Sequence, residues 1–195
     1  MVSEQDLATL KAAGIADPDI VVSSAAAFLR AHPVYPLAPV ANALTEDEEA
    51  FLRAGGAAGV GRVDHDAIAA NVAEIAGEFA EMVATAYSQQ ETALRLGVSA
   101  SRIRQRLDNG TLYAVAGPGG RVCPRFQFVD HATLPGLERV LAALEPDAHP
   151  VAVQRFFLSA HPDLDSPTLG ALAPREWLAT GHDPEAVVQL ASGLQ

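Results

Sequence analysis

The stretch that decides the fold runs from Gln89 to Leu107 and reads QQETALRLGVSASRIRQRL. Ser88 and Glu91, just before and within it, have the spacing of a capping box, which indicates that a helix begins at this point. Gly97 ends that helix, and Ser99 caps a second helix that ends at an Asn-Gly pair. The sequence therefore predicts two short helices joined by a tight turn, in which the glycine supplies a positive φ angle.

The apolar side chains of this stretch fit a helix-turn-helix. Ala93 is small where the two helices cross, and Leu96 and Val98 are expected to pack beneath the turn. Ile103 and Leu107 are four residues apart, which places them on one face of the second helix, against the core. The pattern resembles a DNA-binding helix-turn-helix. The alternative is an antiparallel helix pair with a glycine turn and no role in DNA binding.

The outward face of the second helix carries side chains that bind base edges and phosphates. Ser101, Arg104 and Gln105 are expected to point outward together with Asp108, and arginines lie on both flanks. The predicted DNA-binding residues of this segment are Ser99, Ser101, Arg102, Arg104, Gln105 and Arg106.

A β-hairpin is predicted directly after the second helix. Residues 111–115 have strand composition, residues 117–120 form a glycine-rich turn, and residues 121–126 return, with Pro124 placing the return strand at an edge. This order is similar to winged regulators such as excisionase and the MerR-type proteins. The similarity implies that Arg121 and Arg125 contact the DNA backbone. The alternative is a structural ribbon whose arginines pair with acidic flanks.

The distribution of charge supports a local nucleic-acid surface. The chain has 195 residues and a net charge of −11, which by itself argues against polyanion binding. However, residues 88–128 hold six basic and two acidic side chains, whereas residues 1–87 hold four and 13 and residues 129–195 hold three and nine. A basic island between acidic flanks favours nucleic-acid binding at that island, and chance clustering is the alternative.

The regions on either side of the basic island are expected to be helical, so the predicted fold class is mainly α. We predict a helical region at 1–87 with a possible role in dimerisation or partner binding, a winged helix-turn-helix module at 88–128, and a small helical domain at 129–195. The predicted helices outside the module span residues 5–14, 19–31, a segment capped by Thr45, 66–87, 137–144, 150–158, 174–178 and 184–194.

Several stretches of the last hundred residues resemble bacterial antitoxins related to the MbcA/ParS/Xre group. They include residues 94–107, 124–128, 134–137, 149–157 and 174–188. The resemblance implies an antitoxin of a type II toxin-antitoxin system that binds its own promoter and neutralises a cognate toxin of the RES or PIN type. A homodimer is expected because one helix and wing contact only a short half-site. It also implies that the toxin binds near the end of the chain, at Arg175, Glu176, Trp177 and His182.

Other function classes are weaker. Asp64, His65 and Asp66 are interpreted as a loop leading into a helix rather than as metal ligands, and no catalytic constellation is found, so we expect no enzyme activity, metal or cofactor. A single cysteine excludes a disulfide framework. Without a membrane-length apolar run or a secretory signal, a cytoplasmic protein is expected. The alternative function is a stand-alone regulator whose N-terminal region senses a ligand or protein.

Overall fold

The computed structural model describes residues 4–12, 15, 17–31, 45–56, 65–117 and 119–194, and within them the protein is mainly α-helical with short antiparallel strands, as predicted. The helices are α1 (Glu4–Ala12), α2 (Pro18–Ala31), α3 (Glu46–Ala54), α4 (His65–Thr85), α5 (Gln89–Leu96), α6 (Ala100–Asp108), α7 (Leu137–Ala143), α8 (Pro150–Leu158), α9 (Pro174–Ala179) and α10 (Pro184–Ala191). The strands are β1 (Tyr87–Ser88), β2 (Val115–Gly117), β3 (Gly120–Cys123), β4 (Phe128–Val129), β5 (Ala132–Thr133), β6 (Asp165–Ser166) and β7 (Gly170–Ala171).

Helix starts follow the capping pattern of the sequence closely. Thr45 caps α3 as predicted, and Glu48 completes a capping box with it. Helix α2 begins at Pro18, one residue earlier than predicted. The Asp17 carboxylate accepts a hydrogen bond from the Asp19 backbone N–H at 3.0 Å. Proline fits the first helical position because its missing N–H has no partner there in any helix.

The hairpin differs from its prediction in both extent and position. Strand β2 begins only at Val115, and β3 ends at Cys123, because Pro124 lacks an N–H and residues 125–127 form a 3-10 turn. Pro124 is therefore outside the strand, and β3 is not an edge. It pairs with β2 on one side and with β1 on the other, in the order β1-β3-β2. Helix α4 ends at Thr85, two residues earlier than predicted, because strand β1 begins at Tyr87.

Two aromatic residues connect the cores of the module and of the C-terminal helices. Phe128 packs in a cluster beneath α5 and α6, whereas Phe126 packs in a cluster with α7, α8, α9 and α10. The Phe126 ring stacks on the Phe157 ring of α8 with 4.6 Å between centroids. Both phenylalanines are at most 4% exposed and belong to the core. The segment from Phe126 to Phe128 thus holds the helix pair against the C-terminal helices.

Helix α2 packs on α4, which in turn contacts α8. Phe28 of α2 contacts Phe79 of α4, with ring centroids 5.4 Å apart. Arg155 of α8 donates two hydrogen bonds to the Glu78 carboxylate of α4, at 2.8 and 2.5 Å. Among the described helices, none combines the length and the apolar character needed to cross a bilayer.

Candidate nucleic-acid interface

The first helix of the predicted motif is fixed at both ends by local hydrogen bonds. The Ser88 hydroxyl accepts from the Glu91 N–H at 3.2 Å, and the Glu91 carboxylate accepts from the Ser88 N–H at 2.7 Å. The hydrogen bond from the Ser88 backbone is the main reason why the pKa of Glu91 lies below its ordinary value. Gly97 ends α5 with φ 65°, in the left-handed region, as predicted.

The second helix is seated by the two residues that its spacing predicted. Ile103 is fully buried and Leu107 is 8% exposed, and the Ser99 hydroxyl accepts from the Arg102 N–H at 3.2 Å. The prediction for Val98 was wrong: its backbone N–H bonds to the Ala93 carbonyl, but its side chain is 40% exposed. Val98 lies at the outside of the tight turn, where a side chain has no core to face.

The outward face of α6 is polar and open. Ser101, Arg102, Arg104, Gln105 and Asp108 are all exposed. Arg102 donates from Nη1 to Oε1 of Gln105 at 2.7 Å, so these two side chains present one joined guanidinium–amide edge. Among the residues that the structure describes, none bonds to the Arg104 side chain. Its guanidinium therefore keeps all its donors available at the middle of the helix.

Arg106 points back toward the protein. Its side chain is half-buried, and its Nη2 donates to the Thr111 carbonyl at 3.1 Å, while the Thr111 hydroxyl donates to the Arg106 carbonyl at 3.3 Å. These bonds close the C-terminal end of α6, where backbone carbonyls have no helical partner. The structure thus places Arg106 at the base of the predicted surface rather than on its outer face.

The two arginines of the predicted hairpin lie in different places. Arg121 of β3 forms an ion pair with Asp108 of α6, with Nη2 and Oδ1 2.7 Å apart, which brings the hairpin beside the outward face of α6. Arg125 instead donates from Nε to the Thr85 carbonyl at the end of α4. Its guanidinium lies 5.0 Å from the centre of the Tyr87 ring.

Tyr87 and Arg95 form a contact that the sequence reasoning missed. The Arg95 guanidinium also lies 5.0 Å from the Tyr87 ring centre, so two cations flank one phenol. The Arg95 Nε is buried, and no acceptor for it occurs in the part of the chain that the structure describes. Nothing in the local sequence links Tyr87 to Arg125, since β1 and β3 pair across the intervening helix pair.

Arg125 and Arg175, assigned to different partners by the sequence, line one cleft. This cleft measures about 270 Å³ and lies between α4, the 3-10 turn, α8 and α9. Glu81 and Gln154 also line it. The Arg175 Nη2 donates to the Phe128 carbonyl at 3.2 Å. Arg125 is thus tied to a backbone carbonyl at the end of α4, and Arg175 to one in the segment from Phe126 to Phe128.

The other residues predicted to bind a toxin lie at the two ends of α9. The Glu176 carboxylate accepts from the Ala173 N–H at 3.1 Å, at the start of α9. The Trp177 indole donates to the Asp183 carbonyl at 2.9 Å, and the Trp177 ring stacks on the His182 ring with 4.1 Å between centroids. Trp177 and His182 are half-buried and Glu176 is exposed.

Metal binding finds no support in the described part of the chain, where no group of three or more His, Cys, Asp or Glu residues is arranged to hold an ion. Asp64 and the side chains of His65 and Asp66 lie outside the described residues.

Comparisons with known proteins add little to this geometry. No protein-family model matches the chain. No curated protein matches it. An NMR structure of the protein Rv2175c is similar over 55% of this chain and 78% of its own, with 26% identical residues and a TM-score of 0.42. The likeness is partial.

Proposed function

We propose that the protein binds double-stranded DNA, with α6 in the major groove and the β2–β3 hairpin, acting as a wing, on the neighbouring backbone. The observation that carries this proposal is the two-sided character of α6. Ile103 and Leu107 anchor one side in the core, and the opposite side exposes Arg104 and Gln105. A major groove about 12 Å wide accepts a helix of this size, and Arg and Gln hydrogen-bond to purine edges.

Each residue of the surface has a proposed role that follows from its contacts. Arg104, which is unengaged among the described residues, donates two hydrogen bonds to a guanine, and the Arg102–Gln105 pair reads an adjacent base or phosphate. Ser99 and Ser101 lie at the N-terminus of α6, where free backbone N–H groups attract a phosphate. Arg121 contacts the backbone from the wing.

Arg106 and Arg125, which the sequence assigns to DNA, are proposed instead to position the module. Arg106 closes α6 through Thr111, and Arg125 ties the end of β3 to the Thr85 carbonyl of α4. In each of these two arginines, part of the guanidinium's hydrogen-bonding capacity is thus already used by a backbone carbonyl of the protein. Residues 88–128 as a whole carry a net positive charge. This charge favours the binding of DNA at this segment rather than at the acidic segments on either side of it.

The test is a fluorescence anisotropy titration of the full chain on a labelled fragment of its own promoter, with an unrelated fragment of equal length as competitor. Arg104→Ala is expected to weaken specific binding by about 1–3 kcal/mol, the value of a bidentate contact with guanine. Arg139→Ala removes the same charge at α7, far from α6 in the chain, and is the matched control. If Arg104→Ala binds the promoter as tightly as the control, α6 is not the reading helix.

A homodimer is part of the same proposal. One helix and wing contact only a short half-site, and such modules reach operator affinity by binding two half-sites about one helical turn apart. Sedimentation of the protein with and without a promoter fragment tests it: a single protomer per specific site would contradict the dimer.

The antitoxin activity stays a prediction supported by sequence resemblance alone. The resemblance assigns the binding of a RES-type or PIN-type toxin to Arg175, Glu176, Trp177 and His182. The test is co-purification with the product of the neighbouring gene. Glu176→Gln and His182→Ala should weaken that complex while promoter binding by α6 is retained. Promoter binding without any complex would favour the alternative, a stand-alone regulator.

A further inference from the structure

The side of helix α2 that points away from α4 is apolar. Phe28 is buried against α4, whereas Val22 and Leu29 lie on the outward side and are 60% and 40% exposed. Ala26 lies between Val22 and Leu29 at helical spacing, and residues 20–29 contain no charged side chain. The outward side of a helix in a water-exposed position is normally charged or polar. The composition of this side of α2 therefore indicates that another surface covers it.

Both charged residues of α2 lie on this same side, one at each end of the helix. Asp19 is in the first turn and Arg30 in the last. They are seven and four residues from Ala26, which is the spacing of one helix face, and about 16 Å apart along the axis. Both side chains are exposed, and among the described residues neither forms an ion pair. We call Asp19, Val22, Ala26, Leu29 and Arg30 together the α2 face.

The α2 face is complementary to a second copy of itself in antiparallel orientation. In that orientation, Asp19 lies at the end of the partner helix that carries the partner's Arg30, and the two-fold axis repeats this ion pair at the other end. The same register places Val22 over the partner's Ala26, so a large side chain meets a small one twice and the helix axes can approach to about 8–10 Å. A parallel orientation would instead bring like charges together. We propose that two copies of the protein associate through α2 in this antiparallel arrangement.

This dimer is small and should dissociate on dilution. Helix α2 is about 21 Å long, so a pair of such helices buries less than the roughly 1,200 Å² of a stable interface. Because α2 packs on α4, and α4 leads through β1 into α5 and α6, the two-fold axis that relates the α2 helices also relates the two α6 helices. A palindromic operator that binds both α6 helices would stabilise the α2 contact, and this step rests on the proposed DNA binding.

The first test measures self-association without DNA, so its result is independent of DNA binding. Sedimentation equilibrium of the full chain over about 1–200 µM should show a dimer that dissociates on dilution. Asp19→Arg and Arg30→Asp each place like charges at both ends of the antiparallel pair, and each should weaken the dimer about tenfold or more. Mixed in equal amounts, the two variants should dimerise again, because one then has only cations and the other only anions at the helix ends. A wild type that stays monomeric, a dimer of wild-type strength in either single variant, or a mixture that stays monomeric would overturn the proposal.

A variant at the middle of the α2 face separates this contact from general effects of charge. Ala26→Arg places a cation where the partner's Val22 packs and should be monomeric, whereas Ala142→Arg, on the exposed side of α7, adds the same charge and should dimerise. Circular dichroism checks that both variants are folded. A folded Ala26→Arg protein that dimerises as the control does would show that α2 is not the interface. In anisotropy titrations, Ala26→Arg should bind the promoter fragment more weakly than Ala142→Arg. A wild-type dimer that requires the α2 face but binds no promoter would support this interface and contradict the proposed DNA binding.

Discussion

Two helix pairs in this protein share their local architecture. In α5–α6 and in α9–α10, a glycine in the left-handed region ends the first helix or follows it closely, with φ 65° at Gly97 and 82° at Gly181. The first helix of each pair carries a glutamate whose carboxylate accepts from the backbone N–H that precedes the helix. A side chain caps each second helix, from Ser99 and from Asp183.

The pairs differ in the side chains that their second helices expose. Helix α6 exposes Arg102 and Arg104, whereas α10 carries Glu185 and Gln189 on its polar side, and Glu185 pairs with Arg139. The α9–α10 turn is also covered by the stacked rings of Trp177 and His182. Helix caps and a glycine turn therefore build the pair, and only the charge of the outward face makes one of them a candidate for DNA.

The largest expected effects come from the residues that seat the second helices. Ile103→Ala and Val187→Ala each truncate a fully buried side chain. We expect Ile103→Ala to lower the free energy of unfolding by about 2–5 kcal/mol, and Val187→Ala by less because it removes fewer carbons. Urea unfolding measures both. Only Ile103→Ala should also reduce promoter binding under conditions where the protein stays folded, and equal loss in the two variants would break the distinction between the pairs.

The two turn glycines are expected to be equally sensitive. A Cβ at Gly97 or Gly181 meets no atom within 4 Å. An alanine there lowers the free energy of unfolding only through its left-handed backbone conformation, by about 1–2 kcal/mol. Gly136→Ala is the contrast, because its Cβ would lie 2.5 Å from the Pro184 ring in addition to a φ of 71°. Thermal unfolding should therefore rank Gly136→Ala as the most damaging of the three. A milder Gly136→Ala would mean that α10 shifts freely against α7.

The salt dependence of promoter binding measures how many arginines act on phosphates. If Arg102, Arg121 and the N-terminus of α6 contact the backbone, each protomer should contribute a slope of about −2 to −3 in log K against log[salt]. Arg102→Ala should reduce the steepness by about one. Glu185→Gln on α10 should leave it unchanged. A flat response in the wild type would show that the arginines remain paired within the protein.

The smallest effect concerns the capping carboxylate of α5. Because the folded pKa of Glu91 is lowered, its contribution to stability is present above the ordinary value of 4.5 and is lost as the pH falls through the folded pKa. Glu91→Gln should therefore reduce stability at neutral pH and flatten its decline in acid. Chemical denaturation at about pH 7 and about pH 3 tests this linkage. An unchanged acid decline in Glu91→Gln would assign that decline to other carboxylates.

Sequence predicted what depends on neighbouring residues. Contacts within about one helical turn determine the helix caps at Thr45 and Ser88, the turn at Gly97 and the core positions Ile103 and Leu107. The structure has each of these features as predicted. These features also define the outward face of α6, which is why most of the candidate surface was predictable.

What the sequence missed depends on partners far along the chain. Strand β1 exists because Tyr87 pairs with Cys123, and that pairing turns the predicted edge strand into the centre of a sheet. Arg125 bonds to the carbonyl of Thr85, 40 residues earlier. From sequence alone, an arginine in a basic segment is predicted to contact DNA, because no periodicity in the sequence identifies an acceptor that lies far along the chain.

The burial of Cys123 has a practical consequence for labelling. Its thiol is fully buried in the central strand, and burial is the main reason why its pKa is raised, so the side chain is neither accessible nor readily ionised. It is also the only cysteine of the chain. A cysteine introduced at the exposed Ser101 becomes the single reactive thiol of the folded protein. A fluorophore or a chemical nuclease attached there reports where α6 lies on DNA, without prior removal of the native cysteine.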